Sequence, residues 1–273
     1  SNTVRTLRTV SGEDARLHYR WEARDVPQTF REPLMPQGGE AVQSLHLSTF
    51  ADWPAASKWY WDLSAPHLAR TNATMVAKVA ELTDGCSGDA ERIAAVFKFV
   101  SQKVRYMGLT MESEAPGYEP HDIDITFGNL YGVCRDKAAL LVALLRLAGY
   151  EAYPTLIHVG GAKDDEVPVP YFNHAIVAVA RASVKGDLAP LGQRMDAKYL
   201  LMDPTNEMTK DLLPAYLADR SYLVARPDGE GIRRAAIATA DENAVAVETE
   251  VELEPGGSAY VSYAATLDGI VAN

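Results

Sequence analysis

The sequence predicts an α+β fold, in which helices and an antiparallel sheet occupy separate parts of the chain. Three observations support this class. Strand-like runs fill the first fifty residues, helical periodicity dominates the middle of the chain up to Gly149, and short apolar runs follow it. Separate blocks of helices and strands are typical of α+β proteins, whereas regular alternation would indicate a doubly wound parallel sheet.

The first fifty residues have the pattern of β-strands. Two short runs, VRTLRTV and ARLHYRWEA, are separated by the turn-forming residues 11–14, SGED. An irregular connection with three prolines and two glycines follows, VPQTFREPLMPQGGE. Because the chain opens at Ser1-Asn2 without Met, we interpret these two residues as the remnant of a cleaved tag, and the chain as a piece of a longer protein.

Three segments then predict helices. ADWPAASKWYWDL has Asp52 as a candidate N-cap and Pro54 in the first turn, where proline is tolerated. ATMVAKVAELTDG ends at Gly85, and GDAERIAAVFKFVSQKV has apolar residues at spacings of three and four, with Asp89 as its candidate cap. Residues 107–130 show no sustained periodicity and predict a long loop, a kind of segment that is often functional.

The segment GVCRDKAALLVALLRLAG, residues 132–149, predicts a buried helix. Nearly every residue from Ala138 to Ala148 is apolar, and a helix that is hydrophobic all round lies in a protein interior. Gly149 can adopt the left-handed conformation that ends a helix. We therefore expect Cys134 at the N-terminal end of a buried helix.

That position favours a reactive thiol. Unpaired N–H groups and the positive end of the helix dipole lower the pKa of a cysteine there. The same N–H groups can bind an oxyanion, and Gly132 would let a substrate approach the backbone closely. The alternative is that Cys134 is a small buried hydrophobe, as free cysteines often are. With only Cys86 besides it, no disulfide framework is possible, and we expect two free thiols.

After Gly149 the pattern changes to strands. EAYPTLIHV, YFNHAIVAVA, KYLLMD and SYLVAR predict four strands. Two alternating runs around residues 255–257, PGG, then predict a hairpin, NAVAVETEVELEPGGSAYVSYAATL.

Two polar residues in this half are candidate partners of the cysteine. His174 lies early in a strongly apolar strand, where an imidazole needs a buried partner. Asp203 ends the apolar run of the next strand, where its carboxylate could fix the tautomer of an imidazole. The alternatives are a hydrogen-bonded core histidine and an Asp-Pro turn. His158, near another strand end, is the competing candidate for the base.

Three blocks carry a resemblance to a known family. GVCRDKAALLVALLRLAGYEA, FNHAIVAV and LLMDPTN resemble the signature blocks of the transglutaminase-like superfamily, which run in the order Cys, His, Asp on a papain-like α+β core. The Asp-Lys-Ala after the cysteine and the Asn before the histidine resemble a bacterial branch with a β-rich domain of unknown function ahead of this core. The resemblance covers about residues 50–225.

The resemblance implies a role for each residue of the three blocks. Cys134 is the implied nucleophile, His174 the general base, and Asp203 the acid that orients the imidazole. The family also places an upstream polar or aromatic side chain in the oxyanion hole. The candidates here are Gln102, Tyr106 and Tyr118. The branch more often has an acidic or polar residue before the cysteine, where this chain has Val133, so its substrate preference can differ.

The resemblance also implies a domain organisation. Residues 1–50 are expected to be the C-terminal part of a β-rich domain, residues 51–228 the transglutaminase-like core, and residues 229–273 a hairpin that begins a C-terminal β-rich segment. An extracytoplasmic location is expected from the family, with any targeting signal outside this chain.

We therefore expect cysteine-dependent acyl transfer on amide or peptide substrates through a thioester, with hydrolysis favoured over transamidation, and no cofactor. A non-catalytic scaffold or interaction module is the alternative. Zinc is disfavoured because no Cys or His pair has ligand spacing, and Asp122 and Asp124 are a weak candidate pair for calcium. The net charge of −11 argues against nucleic acid as a partner, and no apolar run is long enough to span a membrane.

Overall fold

The structure is a computed structural model of the 273-residue chain. It describes residues 5–11, 16–22, 25–26, 28, 30, 32–33, 35, 44–108, 117–188, 191, 197–208, 211–237 and 244–267. The backbone divides into two compact units, residues 1–44 and 45–273. The predicted domain ranges 1–50, 51–228 and 229–273 stay predictions.

The first unit contains one antiparallel pair of strands. β1 (Arg5–Ser11) pairs with β2 (Arg16–Glu22), with Ser11 opposite Arg16. These are the two runs predicted as strands, and residues 12–14 of the predicted turn lie outside the described residues.

The second unit begins with helices. Their bounds are α1 (Trp53–Leu68), α2 (Ala73–Thr83), α3 (Asp89–Lys103), α4 (Ile123–Asn129) and α5 (Cys134–Leu147). Asp52 caps α1 as predicted, because its Oδ1 accepts a hydrogen bond of 2.8 Å from the N–H of Ala55. The prediction for α3 is wrong in detail: Gly88 is the N-cap and Asp89 is the first helical residue.

An antiparallel sheet of five strands follows α5. The spatial order is β7-β6-β5-β8-β9. The strands are β5 (Ala152–Ile157), β6 (His174–Ala180), β7 (Tyr199–Met202), β8 (Ser221–Val224) and β9 (Arg233–Arg234). Two short segments ahead of the sheet, β3 (Arg105–Tyr106) and β4 (Tyr131–Gly132), pair in parallel. The first four strands of the sheet are those that the sequence predicts.

The buried helix α5 lies against one face of the sheet. Leu140 and Leu144 belong to the same apolar cluster as Leu156 and Val177. Alternate residues of the same strands form a second cluster on the opposite face, including Tyr153, Ile157, Ile176, Ala178 and Tyr222. Side chains of both faces are buried, which explains why these strands read as continuous apolar runs. Gly149 ends the helix with φ at 96°, as predicted.

The prediction of a loop over residues 107–130 is wrong in part. Helix α4 forms within it and ends at Leu130, a non-glycine residue with φ at 55°. The helix is only seven residues long, and so short a segment has no room for a repeated apolar pattern.

The predicted hairpin forms at the end of the described chain. β10 (Val245–Leu253) pairs with β11 (Ala259–Leu267) in antiparallel register, and both strands are exposed along their whole length. Within the part of the chain that the structure describes, no helix is long and apolar enough to cross a membrane.

Candidate active site

Cys134 is the first residue of α5, and its loop is held by a capping carboxylate. The buried Asp136 accepts a hydrogen bond of 3.1 Å from the N–H of the N-cap residue Val133. Its other oxygen accepts one of 2.9 Å from the N–H of His121. A Cβ on Gly132 would lie 2.7 Å from the Cβ of Asp136. The missing side chain at Gly132 therefore makes room for the capping carboxylate of Asp136. Gly132 also lines a cavity, but neither Cys134 nor His174 lines that cavity.

His174 contacts the cysteine sulfur from the first residue of β6. Burial raises the pKa of the Cys134 thiol, but a hydrogen bond and the positive charge from His174 lower it. The backbone N–H groups of Ala175 and Arg135 act in the same direction, and the net result is a pKa below the usual value. This environment favours the thiolate, which is the nucleophilic form of cysteine.

Asp203 holds the other side of the imidazole. Its Oδ2 lies 2.8 Å from Nε2 of His174, and the carboxylate is fully buried. The ring nitrogen that remains for the sulfur is Nδ1. Burial lowers the pKa of His174, but the hydrogen bonds and charges of Asp203 and Cys134 outweigh it and raise the pKa to about 9. At neutral pH the ring is therefore an imidazolium, which lies between the sulfur of Cys134 and the carboxylate of Asp203.

The buried carboxylate is itself fully hydrogen-bonded. Its Oδ1 accepts hydrogen bonds of 2.9 Å and 2.7 Å from the N–H and hydroxyl of Thr205. Its Oδ2 accepts a third, of 3.2 Å, from the hydroxyl of Tyr216. Burial raises the pKa of Asp203, but His174 and Thr205 lower it by more. These contacts offset the cost of removing the charge from water.

His158 does not occupy the place of the base. Its ring packs edge-on against Tyr171 at 6.2 Å between centroids, and its backbone N–H bonds to the carbonyl of Ser221. Burial, together with the positive charges of Lys163 and Arg220, lowers its pKa. The structure brings Cys134 and Asp203 together around His174 instead.

The three candidates for the oxyanion side chain have different surroundings. The hydroxyl of Tyr106 forms a hydrogen bond with the sulfur of Cys134. The hydroxyl of Tyr118 instead lies 3.0 Å and 2.9 Å from the carbonyls of Pro170 and Phe172, and it accepts a bond from the N–H of Phe172. Gln102 is exposed near the end of α3. Tyr106 is therefore the candidate that reaches the sulfur.

A cavity of about 310 Å³ opens beside the sulfur and the imidazole. Its walls are mainly aromatic and aliphatic. It is lined by Tyr60, Gly117, Tyr118, Cys134, Arg135, Leu156, Phe172, Asn173, His174 and Ala175.

The acidic pair considered for calcium has other partners. Asp122 lies 2.7 Å from Nδ1 of His67 and 3.6 Å from Nε of Arg70. Asp124 accepts a hydrogen bond from the N–H of Ile125. Across the described ranges, no group of three or more His, Cys, Asp and Glu side chains is placed to hold a metal ion.

Comparison with known proteins agrees with the residues that meet at this site. Residues 76–180 match the model of the transglutaminase-like superfamily. This part of the chain is therefore similar to the transglutaminase-like superfamily. The match contains Cys134 and His174, and Asp203 lies beyond its end. No curated protein matches the chain.

Two solved structures are similar to the chain. One is the crystal structure of "a putative protease" from Parabacteroides distasonis, with a TM-score of 0.57, 17% identity, and coverage of 89% of this chain and 45% of the other. The second, "a putative cysteine protease" from Cytophaga hutchinsonii, has a TM-score of 0.37, 15% identity, and coverage of 74% and 55%. The chain thus spans about half the length of each protein. The first similarity confirms the predicted α+β fold, and the family match over residues 76–180 agrees with a transglutaminase-like core.

Sequence reasoning missed several residues around the transglutaminase-like site. Thr205 and Tyr216 hold Asp203, and the N–H of Ala175 contacts the sulfur. Thr205 follows two residues after Asp203, the spacing at which a side chain and a backbone N–H commonly meet. Tyr216 stands in no such pattern, because only the folded chain brings it to the carboxylate.

Proposed function

We propose that this chain is a cysteine hydrolase that cleaves an amide or peptide bond through a thioester on Cys134. The observation that supports this most strongly is the hydrogen-bonded chain from the sulfur through the imidazole of His174 to the buried carboxylate of Asp203. The superfamily match over residues 76–180 and a fold shared with a protein named as "a putative protease" agree with this chemistry.

The reaction has two steps. The thiolate of Cys134 attacks the carbonyl carbon, and the oxyanion receives hydrogen bonds from N–H groups in the first turn of α5 and from the hydroxyl of Tyr106. The imidazolium of His174 gives its proton to the departing nitrogen, the C–N bond breaks, and an amine leaves. The neutral imidazole then takes a proton from water, whose hydroxide attacks the thioester. A carboxylic acid and the Cys134 thiolate result.

Asp203 acts through His174 and does not touch the substrate. Its negative charge stabilises the imidazolium and keeps Nδ1 directed at the sulfur. Tyr106 is well placed for its role because its side chain is exposed beside the sulfur, where a substrate carbonyl can reach it.

Hydrolysis is preferred to transamidation as the second step. An amine acceptor needs a binding feature of its own and protection of the thioester from water. The sequence has no feature that marks a second amine site. Incubating the protein with an amine donor and a peptide and comparing the amounts of acid and amide product tests this choice.

The experiment that tests the proposal compares the two thiols of the chain. Iodoacetamide is added near pH 7, and the modified cysteines are counted by mass spectrometry over time. We expect fast modification of Cys134, slow modification of the reference thiol Cys86, and loss of the difference in His174→Ala. Slow modification of Cys134 regardless of His174 would instead support the non-catalytic scaffold.

A further inference from the structure

The cavity beside Cys134 has deeply buried walls. Tyr60 from α1, Leu156 from β5 and Phe172 just before β6 are only 1%, 2% and 4% exposed, respectively. All three line the cavity together with Cys134 and His174. A group that entered the cavity would therefore be removed from water next to the reacting atoms.

Contacts among the lining residues, and one with Trp53, hold the walls of the cavity in place. The Tyr118 hydroxyl bonds to the backbone on both sides of Tyr171, through Pro170 and Phe172. Its ring packs edge-on against Tyr60 at 6.3 Å, and Phe172 packs edge-on against Trp53 at 6.0 Å. The space is thus formed before a ligand arrives, which reduces the entropy lost on binding.

The most deeply buried walls, Tyr60, Leu156 and Phe172, disfavour polar groups. A glutamine or aspartate side chain packed against them would exchange its hydrogen bonds with water for contacts with rings and a leucine, which is costly without new partners. Arg135 and Asn173 also line the cavity, so the cost falls on a polar side chain that does not reach either of them. An apolar side chain gains about 25 cal/mol for each Å² that it buries. A cavity of about 310 Å³ has room for a large side chain.

We propose that this cavity binds a bulky apolar side chain, aromatic or branched aliphatic, of the acyl part of the substrate. This assignment rests on the function proposed above. The acyl part stays bonded to Cys134 in the thioester, so the cavity that adjoins the sulfur contacts it through both steps. The preferred substrates are peptides with such a residue at the carbonyl side of the cleaved bond, not side-chain amides of glutamine.

The test uses amino acid chloromethyl ketones, which place an acyl-side residue in the site and alkylate the sulfur. Phenylalanine, leucine, glutamine and aspartate derivatives are compared, each rate divided by that of iodoacetamide. We expect the phenylalanine and leucine probes to react about 10 to 100-fold faster than the other two. Equal rates for all four, with fast reaction of iodoacetamide, would overturn this inference and leave the proposed function standing.

A pair of variants connects the preference to the cavity. Phe172→Leu changes a wall, whereas Tyr171→Leu changes an exposed ring one residue away that does not line it. Phe172→Leu is expected to lower the ratio of phenylalanine to glutamine probe rates several-fold, when each rate is divided by the iodoacetamide rate of the same variant. Tyr171→Leu should leave that ratio unchanged.

Three further outcomes have defined meanings. The same loss of preference in both variants would contradict the assignment of the cavity. If Phe172→Leu does not fold, the probe series on the unmodified chain still decides the proposal. Slow reaction of Cys134 with iodoacetamide, independent of His174, would instead reject the hydrolase itself.

Discussion

Glu207 and Tyr106 are joined by a hydrogen bond of 2.8 Å, in which Oε1 of the glutamate accepts from the backbone N–H of the tyrosine. The bond links the loop that follows Asp203 to β3, across 101 positions of the chain. The hydroxyl of Tyr106 contacts the sulfur of Cys134. The segment that carries Asp203, the proposed orienting acid, therefore also supports the proposed oxyanion donor.

This link predicts that Glu207 affects turnover through Tyr106. Tyr106→Phe should lower kcat by about 100-fold, the usual effect of removing one oxyanion donor. Glu207→Ala should lower kcat with little change in KM, whereas Glu207→Gln, which keeps a carbonyl acceptor, should retain most activity. Steady-state kinetics of the Tyr106→Phe/Glu207→Ala double variant provide the check. Full additivity of the two losses would show that Glu207 acts independently of Tyr106.

Replacement of Asp203 by asparagine should abolish most activity without removing the side chain. An amide cannot stabilise the imidazolium and can present an N–H to a ring nitrogen, which favours the wrong tautomer. By comparison with other catalytic triads, we expect kcat to fall by about 100 to 10,000-fold. The exposed Asp62→Asn is the matched control and should keep full activity. Near-normal turnover in Asp203→Asn would remove Asp203 from the mechanism.

Activity should first rise and then fall as the pH is increased. The pKa of Cys134 is lowered, so kcat/KM should rise with pH as the thiolate forms below the range of an ordinary thiol. The pKa of His174 is raised to about 9, so activity should fall again as the ring loses its proton near that pH. In His174→Ala the iodoacetamide reaction of Cys134 should need a higher pH, because burial then raises the thiol pKa without the opposing charge. If the iodoacetamide rate of Cys134 depended on pH in the same way in His174→Ala and in the parent chain, the ion pair between Cys134 and His174 would be contradicted.

Lys137 is a buried cation whose removal should destabilise the fold. Its ammonium group is fully buried and donates hydrogen bonds to the carbonyls of Ser101 and Val104 at the end of α3. Lys137→Met leaves both carbonyls without this donor and should lower the free energy of unfolding by about 2 kcal/mol. Lys58→Met, at an exposed helix position, should change it by less than about 0.5 kcal/mol. Urea unfolding of both variants measures the difference.

Lys137 should also make the free energy of unfolding depend on pH. Burial lowers the pKa of Lys137 to about 8, whereas an unfolded chain has a lysine pKa of about 10.4. Between these two pKa values, the lysine binds more protons in the unfolded chain than in the folded chain. The contribution of Lys137 to stability therefore rises with pH over this interval. The stability difference between the parent chain and Lys137→Met should grow over that interval. A difference that stays constant would mean that the buried amine keeps an ordinary pKa.

Much of the fold was accessible from the sequence because its core elements are long and strongly patterned. The apolar run after Cys134 predicts α5, and the four apolar runs after Gly149 predict β5 to β8. Asp52 could be assigned as a cap because the bond it makes is local. Cys134 and His174 begin two of these elements and Asp203 directly follows a third. The resemblance of the three blocks to a known family connects these distant residues.

The missed features depend on contacts between distant parts of the chain. Glu207 contacts Tyr106, and Tyr216 contacts Asp203, only in the folded chain, because tertiary packing brings each pair together. The approach of a substrate at Gly132 stays a prediction, whereas the room that its missing side chain makes for Asp136 is a contact that only the folded chain shows. A local pattern shows what a residue is able to do, but its partner is decided by tertiary packing.

Leu130 suggests where a more heat-tolerant form of this protein could be engineered. Its left-handed backbone, at φ of 55°, costs a residue with a branched side chain about 1–2 kcal/mol. That side chain is 40% exposed, so little packing offsets the strain. Asparagine tolerates this conformation without the extra chain entropy of glycine. Leu130→Asn would relax the turn that precedes Cys134, and Leu130 does not line the cavity beside the sulfur.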